Sequence, residues 1–297
     1  MSGIEIHVPG PESYKPGSKS ATLNIFLDIE SSEGPKADLG GPLSIGMSGH
    51  CAITRKKIFA HEFVFTPLAG RCSERQVKRF WLKAENVGKW NEMKERAISR
   101  VEAESQLRKL IKELRDAGWT IVIYARPLAY DFRLLTQLFT TIGIEHAYQR
   151  FELRGEPASA KEILDQVTTA WDISQFGDSL PPQYLELTKF GELNDNTSPF
   201  GFGGISEAID MAQIMAGFLW GLGVGSGVYF NDLMKKVGGS QTTHNALADA
   251  EDQAAVWFVF EDLKNALESA RASGNSEAVK EITAKIEEFF KPLPKKK

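Results

Sequence analysis

Two acidic residues, Asp28 and Glu30, close the apolar run Ile25-Phe26-Leu27. The run reads as a β-strand from Ala21 to Ile29, and side chains two apart on a strand point to the same face. Two carboxylates side by side at one sheet position repel each other, and a hard divalent cation with oxygen ligands relieves that repulsion. Solvation at an exposed strand end relieves it too, so the pair alone leaves both readings open. Asp249-Ala250-Glu251 repeats the spacing, but on an expected helix, where residues two apart do not share a face.

Asp131 opens an expected helix just after the apolar strand Trp119 to Ala125. Taken alone, an acid there complements the positive end of the helix dipole. Thr243-His244-Asn245-Ala246-Leu247-Ala248-Asp249 holds a His-x-x-x-x-Asp spacing. Asn245 suits an N-cap, which leaves His244 in the entry loop and Asp249 in the first turns of the helix. A histidine at the mouth of a site titrates near neutrality and can take a proton from water. A carboxylate on a rigid helix can hold a metal ion. The plain alternative is an exposed loop histidine beside a polar helix face.

Periodicity supplies the elements that must position these residues. Leu43 to Ile53 and Ile58 to Phe65 are β-rich runs joined by Thr54-Arg55-Lys56-Lys57, which suits a hairpin. Ser73-Glu74-Arg75-Gln76 fits a capping box that starts a helix at Glu74, with an interruption at Gly88. A helix from Val101 to Ala117 buries Leu107, Leu110, Ile111 and Leu114 and stops at Gly118. Tyr130 to Thr141 reads as a helix and Thr168 to Ile173 as a fifth strand. Residues 177–229 are dense in Gly and Pro, with one helix expected near Ser206 to Leu219. Helices over Ala246 to Ala272 and Ser276 to Phe290 follow. Three sequential strands followed by alternating helix and strand predict an α/β fold, a mixed sheet flanked by helices on both faces. The expected layout is a loose N-terminal arm over residues 1–20 and one domain over 21–272 with an insert at 177–229. A C-terminal helix and Lys-rich tail complete it over 273–297.

The three acidic blocks together are more specific than their parts. Ile25-Phe26-Leu27-Asp28-Ile29-Glu30, Tyr130-Asp131-Phe132-Arg133-Leu134-Leu135 and His244-Asn245-Ala246-Leu247-Ala248-Asp249-Ala250 occur in an order that resembles the DEDDh family of 3′→5′ exonucleases. That family is related to DnaQ proofreading subunits and oligoribonucleases. Phe80-Trp81 ahead of Asn86 to Trp90 is similar to the phage exonuclease A branch. The resemblance covers residues 21–260 through these blocks. It implies an RNase H-like fold and two catalytic ions, Mg²⁺ or Mn²⁺. It also implies metal ligation by Asp28, Glu30, Asp131 and Asp249, with His244 as general base. Phe26, Ile29 and Phe132 become candidates for packing against the terminal base. The implied partner is the 3′ end of single-stranded RNA or DNA. One departure stands out: the family often carries a polar His-Asn pair a few residues before the helix Asp, where this chain reads Ala125-Arg126-Pro127-Leu128-Ala129. The competing reading is a catalytically weak nuclease-fold module that binds nucleic acid or a protein.

Bulk properties narrow the classes further. A net charge of −4 provides no global basic field, which argues against a coat protein for nucleic acid but not against an enzyme gripping a chain end. Cys51 and Cys72 have no metal-site spacing. No apolar run approaches the ~20 residues of a membrane span, so no membrane partner and a cytoplasmic location are expected. Monomer and homodimer are both compatible with the sequence. The alternating glycines from Gly221 to Gly227 fit no phosphate-loop pattern. The basic cluster Arg71, Arg75, Lys78, Arg79 and Lys83 is read equally well as a phosphate-steering patch or a solvated helix face.

Overall fold

The computed structural model describes residues 21–31, 42–65, 77–98, 100–128, 131, 205–224, 228–239 and 244–294. Strands β1 (Thr22–Ser31), β2 (Pro42–Cys51) and β3 (Lys57–Val64) form an antiparallel meander. A single π-helical turn, Val77–Trp81, precedes helices α1 (Val87–Arg96) and α2 (Arg100–Asp116). Strand β4 (Thr120–Ala125) lies parallel to β1, and β5 (Ile205–Asp210) lies parallel to β4. Helices α3 (Met211–Gly221), α4 (Phe230–Lys236), α5 (Ala246–Ala272) and α6 (Ser276–Phe290) follow. The strand order is β3-β2-β1-β4-β5, a mixed five-stranded sheet.

Alternation along β1 builds two cores. Leu23, Ile25, Leu27 and Ile29 face one way and pack with Leu107, Leu110, Ile111 and Leu114 of α2. Phe26 faces the other way, in a cluster with Val122, Tyr124 and the α5 residues Ala254, Trp257 and Phe260. Helices therefore cover both faces, as the sequence predicts. The side chains of Phe26, Asp28 and Glu30 share the α5 face, because side chains on a strand repeat every second residue.

Helix α5 lies close against β2. A Cβ placed on Gly46 would collide with the backbone of Ala246 and Leu247, so a glycine is required where the helix start meets the strand. Gly46 pairs with Asp28 across the sheet, so this close approach brings the α5 N-terminus beside the acidic end of β1. Arg55, at the turn between β2 and β3, donates to both carboxylate oxygens of Asp262 on α5 at 2.7 and 2.6 Å.

Two expectations need correction. The helix expected near Ser206 to Leu219 is instead strand β5 followed by α3. Ile205 and Ile209 are four apart, a spacing that suits a helix, but the run is short and pairs with β4. The true start signal is Asp210, whose side chain accepts from the Gln213 N–H at 3.0 Å. Part of the segment read as an insert thus supplies an edge strand of the sheet. Gly88 does not interrupt a helix either; it lies in the first turn of α1, and the break precedes it. The expected strand Thr168 to Ile173, the body of the helix Tyr130 to Thr141, the capping box at Ser73 and both terminal segments lie outside the described residues.

Candidate metal centre

The C-terminal ends of β1 and β4 point the same way, and the expected site residues gather there. Asp28, Glu30 and Asp249 each present a carboxylate oxygen within 4.8 Å of the other two. Asp28 and Glu30 come from β1 and Asp249 from the first turn of α5. Asn245 caps that helix, its side chain accepting from the Ala248 N–H at 3.1 Å, as the sequence predicts. Asp131 is buried just beyond β4. It is not one of the three mutually close carboxylates, but Asp28 is near enough to raise its pKa.

The electrostatics are those of acids gathered without enough countercharge. Burial, then Asp249, pushes the Asp28 carboxyl up to about 7. Burial pushes Asp249 up to about 6. Burial and neighbouring carboxylates hold Glu30 and Asp131 well above their ordinary values. One oxygen each of Asp131 and Asp249 is buried without a hydrogen-bond partner. Orphaned carboxylate oxygens around an all-oxygen cluster fit a hard divalent cation. A cation would also reverse the pKa shifts, because it favours the charged form of each ligand.

His244 lies at the rim with a backbone φ of 74°, a left-handed conformation in which histidine is more common than most residues. Its backbone N–H donates to Asp249 at 3.2 Å, fixing the loop to the helix. Its Nδ1 is 3.8 Å from Glu30. The ring packs edge-on against Phe80, with centroids 4.5 Å apart. Burial lowers its pKa. That shift favours the neutral imidazole, the form that can accept a proton.

Four contributors have weak or no sequence signals. Gln253, one helical turn after Asp249, donates to Asp28 at 2.8 Å. Its signal is a buried amide four residues from a ligand position. Trp81 donates its indole N–H to the Ser31 carbonyl at 3.0 Å and so braces β1 just after Glu30. Glu62 of β3, nearly buried, is 2.8 Å from Arg96 and 3.8 Å from Lys89, and it adds to the upward shift of Glu30. Arg126 follows β4; its guanidinium lies over the Phe230 ring, 4.5 Å from the centroid, and donates to Asn231 at 3.2 Å.

The expected base-packing residues are placed differently. Phe26 is fully buried, stacked on Tyr124 with centroids 5.0 Å apart and edge-on to Phe258 at 5.6 Å. Ile29 is 5% exposed in the opposite core. Both serve the cores, because the apolar strand that carries the acids needs them for its own packing. Phe132 lies outside the described residues. Of the basic cluster, Arg79 and Lys83 are exposed near Phe80, and the side chains of Arg71, Arg75 and Lys78 lie outside the described residues.

No protein-family model matches the chain, and no curated protein matches it. Among the described residues, no helix is long and apolar enough to cross a membrane.

Proposed function

We propose that the protein is a metal-dependent 3′→5′ exonuclease with an RNase H-like fold, releasing nucleoside 5′-monophosphates from single-stranded RNA or DNA. The observation that carries the reading is the meeting of Asp28, Glu30 and Asp249 within 4.8 Å, with His244 on the rim. The strand order β3-β2-β1-β4-β5 supports the fold, since it puts the acids of β1 and Asp131 at the same end of parallel strands.

Asp28, Glu30 and Asp249 would hold Mg²⁺ or Mn²⁺, with Asp131 adding its negative charge nearby. Bound divalent ions would supply Lewis-acid stabilisation of phosphate charge and lower the pKa of water. The protein's own parts act as follows. Gln253 fixes the rotamer of Asp28, and the Asn245 cap fixes Asp249. His244 accepts a proton from water at its free imidazole nitrogen, and low-pKa burial keeps that nitrogen available. Phe80 restricts the ring's swing, which keeps the base near the carboxylates.

The test is digestion of end-labelled RNA and DNA oligomers with Mg²⁺ or Mn²⁺. The expected result is loss of the 3′ label first, as a 5′-monophosphate, and no reaction in excess chelator. Cleavage of a circular single strand, or robust activity in EDTA, would overturn the reading. Metal and oligomer binding without any cleavage would identify a binding module instead.

A further inference from the structure

Arg126 is built unlike an arginine whose work is to neutralise acids. Four carboxylates, Asp28, Asp131, Asp249 and Asp210, act on it electrostatically. Among the described residues it nevertheless makes no ion pair with any of them within 4.0 Å. Its guanidinium is held by neutral groups, the Phe230 ring face and the Asn231 amide oxygen. Its Nε is buried without a hydrogen-bond partner. The segment that carries it is pinned as well. The Leu128 N–H donates to Asp210 at 3.1 Å, and the same carboxylate caps α3.

Desolvating a guanidinium is costly, and an ion pair is the usual compensation. Here the cation is braced by an aromatic face and an amide, with donor capacity left over, next to a cluster suited to divalent ions. Charge counting gives the reason. Once deprotonated, Asp28, Glu30, Asp131 and Asp249 would carry four negative charges, which two divalent ions would cancel. Arg126 then leaves one positive charge, matched to one phosphodiester group. A planar, forked donor set also suits phosphate oxygens.

We propose that Arg126 is a phosphate-contact residue of this site, donating to a non-bridging oxygen of the terminal nucleotide's phosphate. The proposal rests on the exonuclease reading. Arg126 would oppose metal binding slightly and favour anion binding strongly. A structural brace would do neither.

The test is calorimetric and independent of turnover. Mn²⁺ is titrated into the wild-type chain and into Arg126→Gln and Arg126→Lys variants. Adenosine 5′-monophosphate, its 2′-deoxy counterpart and the two nucleosides are then titrated into each Mn²⁺-loaded protein. In Arg126→Gln, affinity for the better-bound mononucleotide should fall about tenfold or more, the usual worth of a hydrogen bond to a charged group. Nucleoside affinity should stay put. Mn²⁺ affinity should hold or rise, and Arg126→Lys should recover part of the mononucleotide affinity. Equal mononucleotide affinity in wild type and Arg126→Gln would overturn the inference while leaving the metal site standing. So would a joint loss of Mn²⁺ and mononucleotide binding, the mark of a structural role. A wild-type chain that binds no Mn²⁺ would overturn the exonuclease reading, and this inference with it.

Discussion

Strand β1 has two faces with opposite duties. On one face Leu23, Ile25, Leu27 and Ile29 run unbroken into the core under α2. On the other, Phe26 is core, but Asp28 and Glu30 are acids that burial pushes toward the protonated state. The chain is continuous and the strand geometry is the same. One face stabilises the fold along its whole length; the other gives up stability over its last residues to assemble charge. The comparison is sharpest at neighbouring residues, Leu27 and Asp28.

The largest expected effect breaks the comparison at that point. Asp28→Asn keeps the shape and an oxygen for Gln253 but removes a ligand charge. Nuclease activity should be abolished, while the metal-free protein melts at a higher temperature. Leu27→Ala should do the reverse. Removing a fully buried leucine costs about 2–5 kcal/mol, and any activity lost should track the fraction unfolded. Parallel measurements of melting temperature and metal-saturated turnover check both. A destabilised Asp28→Asn variant would show that the acidic face also carries the fold.

The next effect separates ligands from the base. His244→Ala should lower kcat on the order of 10²–10⁴-fold, the usual range for lost acid–base catalysis. Metal affinity should change little, because the clustered oxygens belong to Asp28, Glu30 and Asp249. In the wild-type enzyme the rate should rise with pH through a pKa below 6.5, since burial lowers that of His244. A pH profile unchanged in the alanine variant would assign the base elsewhere.

A smaller effect tests how the acidic face is held. Gln253→Met keeps the volume but removes the donor to Asp28. Supporting contacts of this kind are worth roughly 10–100-fold in metal affinity. Mn²⁺ titration by calorimetry measures it, and a value within twofold of wild type would make Gln253 mere packing.

Much of this arrangement can be read in the sequence, for physical reasons. The bounds of α5 and α6 follow from strong caps: Asn245 and Asn275 both accept hydrogen bonds from N–H groups three residues on. The parallel pairing of β1 with β4 follows from two apolar runs separated by a helical region. The clustering of Asp28, Glu30 and Asp249 is legible only through the resemblance that the three acidic blocks carry together, because the Asp-x-Glu spacing alone suits a solvated strand end equally well. Other parts are not local. Strand β5 is only six residues long, and its apolar spacing is ambiguous until β4 is beside it. Gln253, Trp81 and Arg126 act through partners distant in sequence, which no spacing rule reports. Phe26 is core although its neighbours carry the chemistry; the same alternation that aims Asp28 at α5 places Phe26 deeper under it.

The smallest effect is the pH dependence of stability without metal, and it tests the acidic face as a whole. In the folded chain Asp28 is raised to about 7 and Asp249 to about 6, while Glu30 and Asp131 are also raised. In the unfolded chain these acids titrate near 4. A group whose folded pKa is raised adds stability below its unfolded value and loses it as pH rises through its folded value. Asp28 and Asp249 should therefore weaken the metal-free protein between about pH 4 and pH 7, and Glu30 and Asp131 act in the same direction. Glu92 and Asp262, whose pKa values are lowered by Arg96 and Arg55, act the opposite way at lower pH, and both pairs are largely exposed; His50, His61 and His244, lowered by burial, also act the opposite way as pH rises toward 6.5. The site's share is isolated by difference. Saturating Mg²⁺ binds the deprotonated ligands, so the gap in melting temperature between Mg²⁺ and EDTA should widen from pH 5 to pH 7.5. Asp28→Asn should narrow that gap and flatten the EDTA curve. A gap that stays constant across this window would mean that the carboxylates are not gathered closely enough to repel, and the contrast between the two faces of β1 would lose its electrostatic basis.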